Sequence, residues 1–518
     1  MTQFNLDTMK LWPTFGWPLS SGSPKASGNF NPDALVFTIQ IPNDNFTFKC
    51  PTGSGYSSDY DATVDWGDGT TGTVTTQYGT SLNTPNDHTY AKAGTYQVSI
   101  EGIFKEFSTY YGLMEGFKSA KCIISLDNLG KTGLDKLWYG FYYCENMVSF
   151  NVGNTDARPS SLRSCFQYCN SLTDLDLTGL DWSSCYEASS VFERMSSVET
   201  IELGSIQNAP IQSMYSMFRD CVNLKSIDLS RLQTQNLNST SYMFYRCGKL
   251  EAITLGSGWD TSNVSYMTSM FEGCYDLVSL DVSNWDTSNV QSMYSMFNSC
   301  HDLASLDVSN WDVSSVTNMG RMFYTCSSLA SLDVSNWDVS SVTSLKEMFR
   351  SATRLPALDV SNWDTSNVTD MNSMFNFNMR LQALDVSNWN TSNVTNMEGM
   401  FFYCFAMQAL DVSNWNTSNV TNMKRMFYFL NNLSITGVEN FDITSLSSSS
   451  VLDGFLYAVN LSTSTYDALL VNWEAQNPIS GVSTNFGNSK YTSGSSAETA
   501  RNSLINNYGW SISDNGST

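Results

Sequence analysis

Seven tryptophans, Trp259, Trp285, Trp311, Trp337, Trp363, Trp389 and Trp415, stand 26 residues apart. The phenylalanines from Phe271 to Phe427 keep the same step. Residues 280–300 read LDVSNWDTSNVQSMYSMFNSC, and nearly the same words return in each step. A unit this short cannot bury its own apolar face, so the units must stack into an array. At 518 residues the chain also exceeds one ordinary compact core.

A period of 20–29 residues with a short L-x-V core is the mark of a leucine-rich-type solenoid. Leu280 and Val282 alternate with Ser279 and Asp281, which predicts a short strand burying the first pair. Val290, Met293, Met296, Phe297 and Cys300 fall at i, i+3, i+6, i+7 and i+10, which predicts one face of a helix. The Thr-Ser-Asn before Val290 supplies N-cap oxygens. The expected coil is therefore strand, loop, helix, and the expected fold class an α/β solenoid. Phenylalanines from Phe141 to Phe427 mark twelve coils. At ~4.8 Å per coil the rod is ~55–60 Å long. Coils are irregular over residues 105–254 and regular over 255–430. Beyond 431 the pattern dissolves into two amphipathic helical stretches, YDALLVNWEAQ and AETARNSLINNYGW, and a strand-like end. Residues 431–518 are read as the α/β cap that an open solenoid end requires.

The N-terminal third differs. Residues 1–33 are rich in Pro, Gly and Ser, with Trp12, Phe15 and Trp17 as apolar anchors. They read as an extended arm that docks on a partner or as a tail. Residues 34–104 carry strand-like runs, LVFTIQI and FTFKC, and turn signals such as Gly67-Asp68-Gly69. Trp66-Gly67-Asp68-Gly69, His88-Thr89-Tyr90 and Gly94-Thr95-Tyr96 resemble the PKD type of immunoglobulin-like β-sandwich. The resemblance implies a small spacer or adhesion module. His88 is then a residue of a strand-entry turn rather than a catalytic group.

The net charge of −23 argues against nucleic-acid binding and against an anionic membrane surface. Two histidines, His88 and His301, are poor material for acid–base or zinc chemistry. No run of 18 apolar residues suggests a membrane span. The first residues lack the apolar core of a secretory signal, so export is expected either after signal removal or by another route.

Stacking turns each repeated residue into a column. The Trp and Met columns read as core filling. The column of Cys144, Cys169, Cys221, Cys247, Cys274, Cys300, Cys326 and Cys404 is interrupted by Ala352, Asn378 and Leu430, so small buried thiols fit better than a disulfide framework. The loop column Asp260, Asp286, Asp312, Asp338, Asp364, Asn390 and Asn416 exchanges Asp for Asn and reads as a turn-forming acceptor. The strand column Asp281, Asp307, Asp333, Asp359, Asp385 and Asp411 keeps its charge in every regular coil. Its repulsion requires compensation, by bound Ca²⁺ or, more simply, by hydrogen bonds from neighbouring Ser and Thr. Otherwise no cofactor or metal is expected, and no catalytic residue is nominated.

Variation concentrates elsewhere, on the expected outer helix face of the last coils. Phe377, Arg380, Phe402, Tyr403, Phe405, Lys424, Arg425, Tyr428 and Phe429 combine aromatic and basic character against an acidic background. Aromatic plus Arg is the composition of interface cores.

With LDVSNWDTSNVTNM…MF in hand, residues from about 140 to 518 closely resemble the BspA-like leucine-rich-repeat surface proteins in their 26-residue form. The resemblance implies a non-enzymatic surface or adhesion protein, found on bacterial cells and among bacteriophage virion proteins. The absence of a signal, lipobox cysteine or sorting anchor points to the virion version, a fibre, spike or decoration protein for host or surface attachment. Its expected partners are capsid or tail proteins through the arm and a host surface protein or glycan, with no nucleic acid, no membrane insertion and room for a homo-oligomer. A bacterial cell-surface or secreted adhesin is the alternative. A polysaccharide-degrading tail enzyme is disfavoured, because the carboxylates recur as columns rather than as one distinct pair in a cleft.

Overall fold

The computed structural model describes residues 31–52, 60–75, 86–110 and 118–518. The N-terminal unit is antiparallel and all-β, as its alternating residues predict. Its strands are β1 (Leu35–Ile41), β2 (Phe46–Phe48), β3 (Tyr60–Asp65), β4 (Thr71–Thr75), β5 (His88–Tyr90) and β6 (Gly94–Phe104). They form one sheet in the order β4-β3-β6-β1 and a second pair, β2 with β5. Phe37 of β1 lies 6.3 Å from Phe48 of β2 across the core between them. His88 opens β5, stacks on Trp66 at 4.9 Å and places Nε2 2.8 Å from Asp68 Oδ2, which makes it a turn fastener.

The rod begins inside that sheet. β7 (Ile123–Asn128) pairs antiparallel with β1, and β8 (Ser149–Phe150) pairs parallel with β7. One sheet therefore passes from hairpin-like pairing into coil-on-coil pairing, and one core runs unbroken from Leu35 to Trp510.

The expected helix in each coil is absent. Residues 290–300 form consecutive turns instead, and the fold is a β-solenoid rather than an α/β solenoid. The N–H groups of Met296, Asn298 and Cys300 bond three residues back, to Met293, Ser295 and Phe297. Those of Met293, Ser295, Phe297 and Ser299 reach the next coil, at Asn318, Gly320, Met322 and Tyr324, over 2.7–3.1 Å. Donors thus alternate between the same coil and the next, which is the period of a strand, not of a helix. Two residues per coil, Ser295 and Ser299, are left-handed at φ 55° and 63°. This costs about 1–2 kcal/mol for each non-glycine residue. In exchange each of the two donates its own N–H along the rod.

The spacing of Met293, Met296, Phe297 and Cys300 mimics a helical face because each tight turn also returns the chain every three or four residues. All four side chains are buried. The predicted strand keeps its alternation, with Leu280 and Val282 buried and Asp281 exposed. Its pairing is sparse, however. Parallel pairs occur at Ser226–Leu229 with Ala252–Leu255 and at Ala409–Asp411 with Ser434–Thr436, while Ala357 with Ala383 and Ala383 with Ala409 are joined only by single bridges. The turn ladder is what holds consecutive coils together. A bridge chain runs unbroken from Ser161 through Ser239, Ser292 and Asp370 to Asn422.

Three further columns fasten it. Trp311, Trp337, Trp363, Trp389 and Trp415 each donate Nε1 to the Val carbonyl of the preceding coil at 3.1 Å, with rings 6.2–6.4 Å apart. Cys300, Cys326 and Cys404 donate Sγ–H to the Phe carbonyls of the preceding coils at 2.9–3.2 Å. Burial pushes the Cys326 and Cys404 thiols up to about 12, so they stay protonated donors. Thr287, Thr365, Thr391 and Thr417 bond forward to the next loop.

Past residue 431 two helices appear, α1 (Thr463–Ala475) and α2 (Ser496–Asn506), where the sequence pattern places them. Ser462 and Ser495 cap them by accepting from backbone N–H groups in the first turn. Trp473 of α1 packs 5.7 Å from Phe455 of the last coil. Ser483–Asn485 pairs in parallel with Ser511–Ser513. Arg501 holds Asp514 through two hydrogen bonds, and Tyr466 donates to the same carboxylate.

Candidate recognition face

The two left-handed positions run as two columns along the ladder, the first largely buried except at Arg321 and Arg425, the second mostly half-buried. One column holds Ser269, Ser295, Arg321, Glu347, Ser373, Gly399 and Arg425. The other holds Gly273, Ser299, Thr325, Ser351, Phe377, Tyr403 and Phe429. These are the positions at which the repeat departs from itself. The variable residues assigned to a helix exterior therefore stand on a flat turn ladder, in register from coil to coil.

Most of the nominated recognition residues come together there. Phe377, Tyr403 and Phe429 stack in one file at 5.1 and 4.9 Å. Phe402, Tyr428 and Tyr457 stack in a second at 5.0 and 4.6 Å. The files meet edge to face, Phe377 against Phe402 and Tyr428 against Phe429. Phe405 packs edge-on to Tyr403 at 5.9 Å. Phe405 is 39% exposed and Tyr457 37%, so the patch is open to solvent at its margins. Neither Phe402 nor Phe429 enters the core; both are half-buried among other surface rings. Arg425 lies 5.8 Å from the Tyr428 ring, and Lys424 and Arg425 face Asp453 at 3.7 and 4.0 Å. Arg380 is exposed, and among the described residues no ring or ion-pair contact ties it to the patch. Tyr457 was missed by sequence reasoning because it follows the last recognisable repeat.

Two other stretches of the face carry clusters of their own. Arg321 and Arg350 both bond the side chain of Glu347, which is only 7% exposed, and both guanidinium groups lie 5.5–5.8 Å from the Tyr324 ring. Burial pushes the Glu347 carboxyl up, but its bonds to Arg321 and Arg350 outweigh this and hold it below the ordinary value. At the N-terminal end Tyr110 stacks on Tyr139 at 4.7 Å, Tyr143 on Tyr168 at 4.2 Å, and Arg194 lies over Tyr168 at 5.1 Å. The run WYGFYYC at 138–144 was the available signal for this end.

The strand Asp column has the hydrogen bonds that the simpler of its two readings asks for. Asp281, Asp307, Asp333, Asp359, Asp385 and Asp411 each accept from the backbone N–H two residues on. All but Asp411 also accept from the Ser hydroxyl there. Hydrogen bonds from the Ser side chains and backbones hold Asp281, Asp333 and Asp385 below the usual carboxylate range. Among the described residues no group of three or more acidic, His or Cys side chains is disposed to hold a metal ion. The loop column behaves as the Asp/Asn exchange predicts: Asp286, Asp338 and Asn416 accept from the N–H two residues on. Trp12, Phe15 and Trp17 lie outside the described residues. Among the described residues no helix is long and apolar enough to cross a membrane.

Stacked parallel coils with one repeated apolar set per turn define a β-solenoid of the leucine-rich-repeat type. Residues 160–275, 249–357, 329–441 and 353–464 match the family described as "Mycoplasma protein of unknown function, DUF285". The chain belongs to that family, which spans more than half of it. No curated protein matches. Among solved structures, an LRR protein of Leptospira interrogans is 12% identical over 77% of this chain and 92% of its own, with a TM-score of 0.23. A TLR13–ssRNA13 complex is 14% identical over 77% of this chain and 55% of its own, with the same TM-score. The mouse RP105/MD-1 complex is 14% identical over 74% of each chain, with a TM-score of 0.19. At these scores the likenesses carry no argument.

Proposed function

We propose that the chain is a non-enzymatic attachment protein displayed on a surface, and that the turn-ladder face is what it presents. The observation that carries this is the division of labour within one coil. The strand face repeats Ser or Ala, then Asp, then Ser in every regular coil, whereas the ladder face gathers aromatic and basic side chains at positions that vary. A surface selected for binding needs such variety, and aromatic residues with Arg dominate the energetics of interfaces.

The version we favour is a bacteriophage virion fibre, spike or decoration protein, with residues 1–33 docking on capsid or tail through Trp12, Phe15 and Trp17. In this reading residues 34–104 are a PKD-like spacer and residues 431–518 close the far end of the rod. A bacterial cell-surface adhesin is the second reading, favoured by the match to a family described from Mycoplasma. Mass spectrometry of purified virions separates the two, since only the first requires the chain in the particle.

The test of the shared claim uses labelled full-length chain on a panel of intact bacterial cells. The Arg380→Ala, Phe405→Ala, Tyr457→Ala triple variant should bind at least tenfold more weakly. The Asp307→Asn, Asp333→Asn, Asp359→Asn variant on the strand face should bind as the parent does. Equal loss in both variants, or loss only in the second, refutes the assignment of the face.

A further inference from the structure

The ladder face also carries a cleft, at the end opposite the aromatic patch. It has a volume of about 550 Å³ and is lined by Tyr110, Tyr139, Tyr142, Tyr215, Arg163 and Gln167, with five serines from four successive coils between them. We propose that this cleft binds a short oligosaccharide.

The lining is chemically selective. The chain carries 49 acidic residues and a net charge of −23, yet among the described residues no carboxylate and no aliphatic side chain lines the cleft. What remains is aromatic rings, hydroxyls, one carboxamide and one guanidinium. A sugar ring offers an apolar face to aromatic side chains and a dense edge of hydroxyls, each both donor and acceptor. The serine hydroxyls match that edge because they too donate and accept, while Gln167 offers both amide roles and Arg163 five fixed donors. The described lining, with one Arg and no carboxylate, favours a neutral ligand over a cation. A single Arg in an acidic protein is too little charge for a polyphosphate or a nucleic-acid backbone.

Shape agrees with chemistry. The lining passes through successive coils, so at ~4.8 Å per coil it runs on the order of 20 Å along the rod. This suits an elongated ligand. The volume falls within the ~300–1,000 Å³ of ordinary ligand clefts. Tyr110 and Tyr215 keep 38% and 42% of their surface exposed, so ring area is available. In the cleft Tyr110 gives one face to Tyr139 while Tyr215 is met only edge-on by Tyr242, whereas in the aromatic patch of residues 377–457 the rings stack in two continuous files. The two ends of the face therefore suit different ligand chemistries, and the cleft stands independently of the patch.

The experiment applies the full-length chain to a printed array of neutral, amino-sugar and acidic oligosaccharides, then titrates the best binder by calorimetry. Tyr215→Ala and Arg163→Ala alter exposed side chains, and a thermal melt checks that each variant is folded. Each should weaken binding at least tenfold, while Phe405→Ala at the other end leaves it unchanged. No binding to any arrayed glycan overturns the proposal. So does a bound glycan whose affinity is the same in the parent and both cleft variants.

Discussion

Asn378 offers a sharp test of what the cysteine column does. It occupies the place taken by Cys300, Cys326 and Cys404 in other coils, and only 1% of it is exposed. Its Nδ2 donates to the Phe349 carbonyl at 2.8 Å, as those thiols donate to Phe carbonyls in their own preceding coils. Its Oδ1 finds no hydrogen-bond partner in the protein. A buried acceptor left unpaired costs about 1–3 kcal/mol, and exchanging an amide donor for a weaker thiol gives back at most about 0.5–1.5 kcal/mol. Asn378→Cys should therefore stabilise this coil by about 1 kcal/mol. The coils of a long array open locally, so the assay is native-state amide exchange under reducing conditions, read at Phe375, Phe377 and Tyr403. A gain of about 1 kcal/mol slows exchange roughly fivefold. Asn378→Ala removes donor and acceptor together and should fall near the parent, because the Phe349 carbonyl still accepts the Ala352 N–H. Faster exchange in Asn378→Cys than in the parent would refute the reasoning, since the column would not be selected for a small buried donor.

Other perturbations follow from the same geometry. Trp363→Phe keeps a ring between Trp337 and Trp389 but removes one of the two hydrogen bonds to the Val334 carbonyl, the other coming from the Trp337 N–H, and should cost about 0.5–1.5 kcal/mol by denaturant titration. Because Glu347 titrates below its ordinary 4.5 in the folded chain, its contribution is present above that value and lost as pH falls through the lowered one. Glu347→Gln should therefore be less stable than the parent at pH 7 and lose less stability on acidification, as measured by melts from pH 7 to pH 3. Removing divalent cations with a chelator should leave the melting temperature unchanged, because the strand carboxylates are satisfied by their own serines; a rise of several degrees with added Ca²⁺ would contradict this.

Period and apolar columns were legible in the sequence because they depend only on which residues recur. The stacking of Trp363 on its neighbours follows from a 26-residue step alone. The backbone between Val290 and Cys300 was not legible. Consecutive turns and a helix both bring the chain round every three to four residues, so buried Met293, Met296, Phe297 and Cys300 fit either. The discriminating signal was weak: Gly273 and Gly399 fall on left-handed columns, but Ser, Arg and Phe fill the same columns elsewhere. The aromatic patch was foreseen because Phe402, Tyr403, Tyr428 and Phe429 break an otherwise uniform repeat. The tyrosine cleft was not, because its lining comes from coils too irregular to align, and the two exposed tyrosines Tyr110 and Tyr215 are 105 residues apart in sequence.

Every placement on the face depends on the coils being turn ladders, and far-UV circular dichroism of the full-length chain tests that most directly. With α1 and α2 contributing 13 and 11 residues, helix should amount to about 5% of the signal expected for 518 residues. A helix over residues 290–300 and its equivalents in all twelve coils would raise this to about 30%. A strong helical minimum at that level would contradict the turn ladder, and with it the arrangement of the aromatic columns.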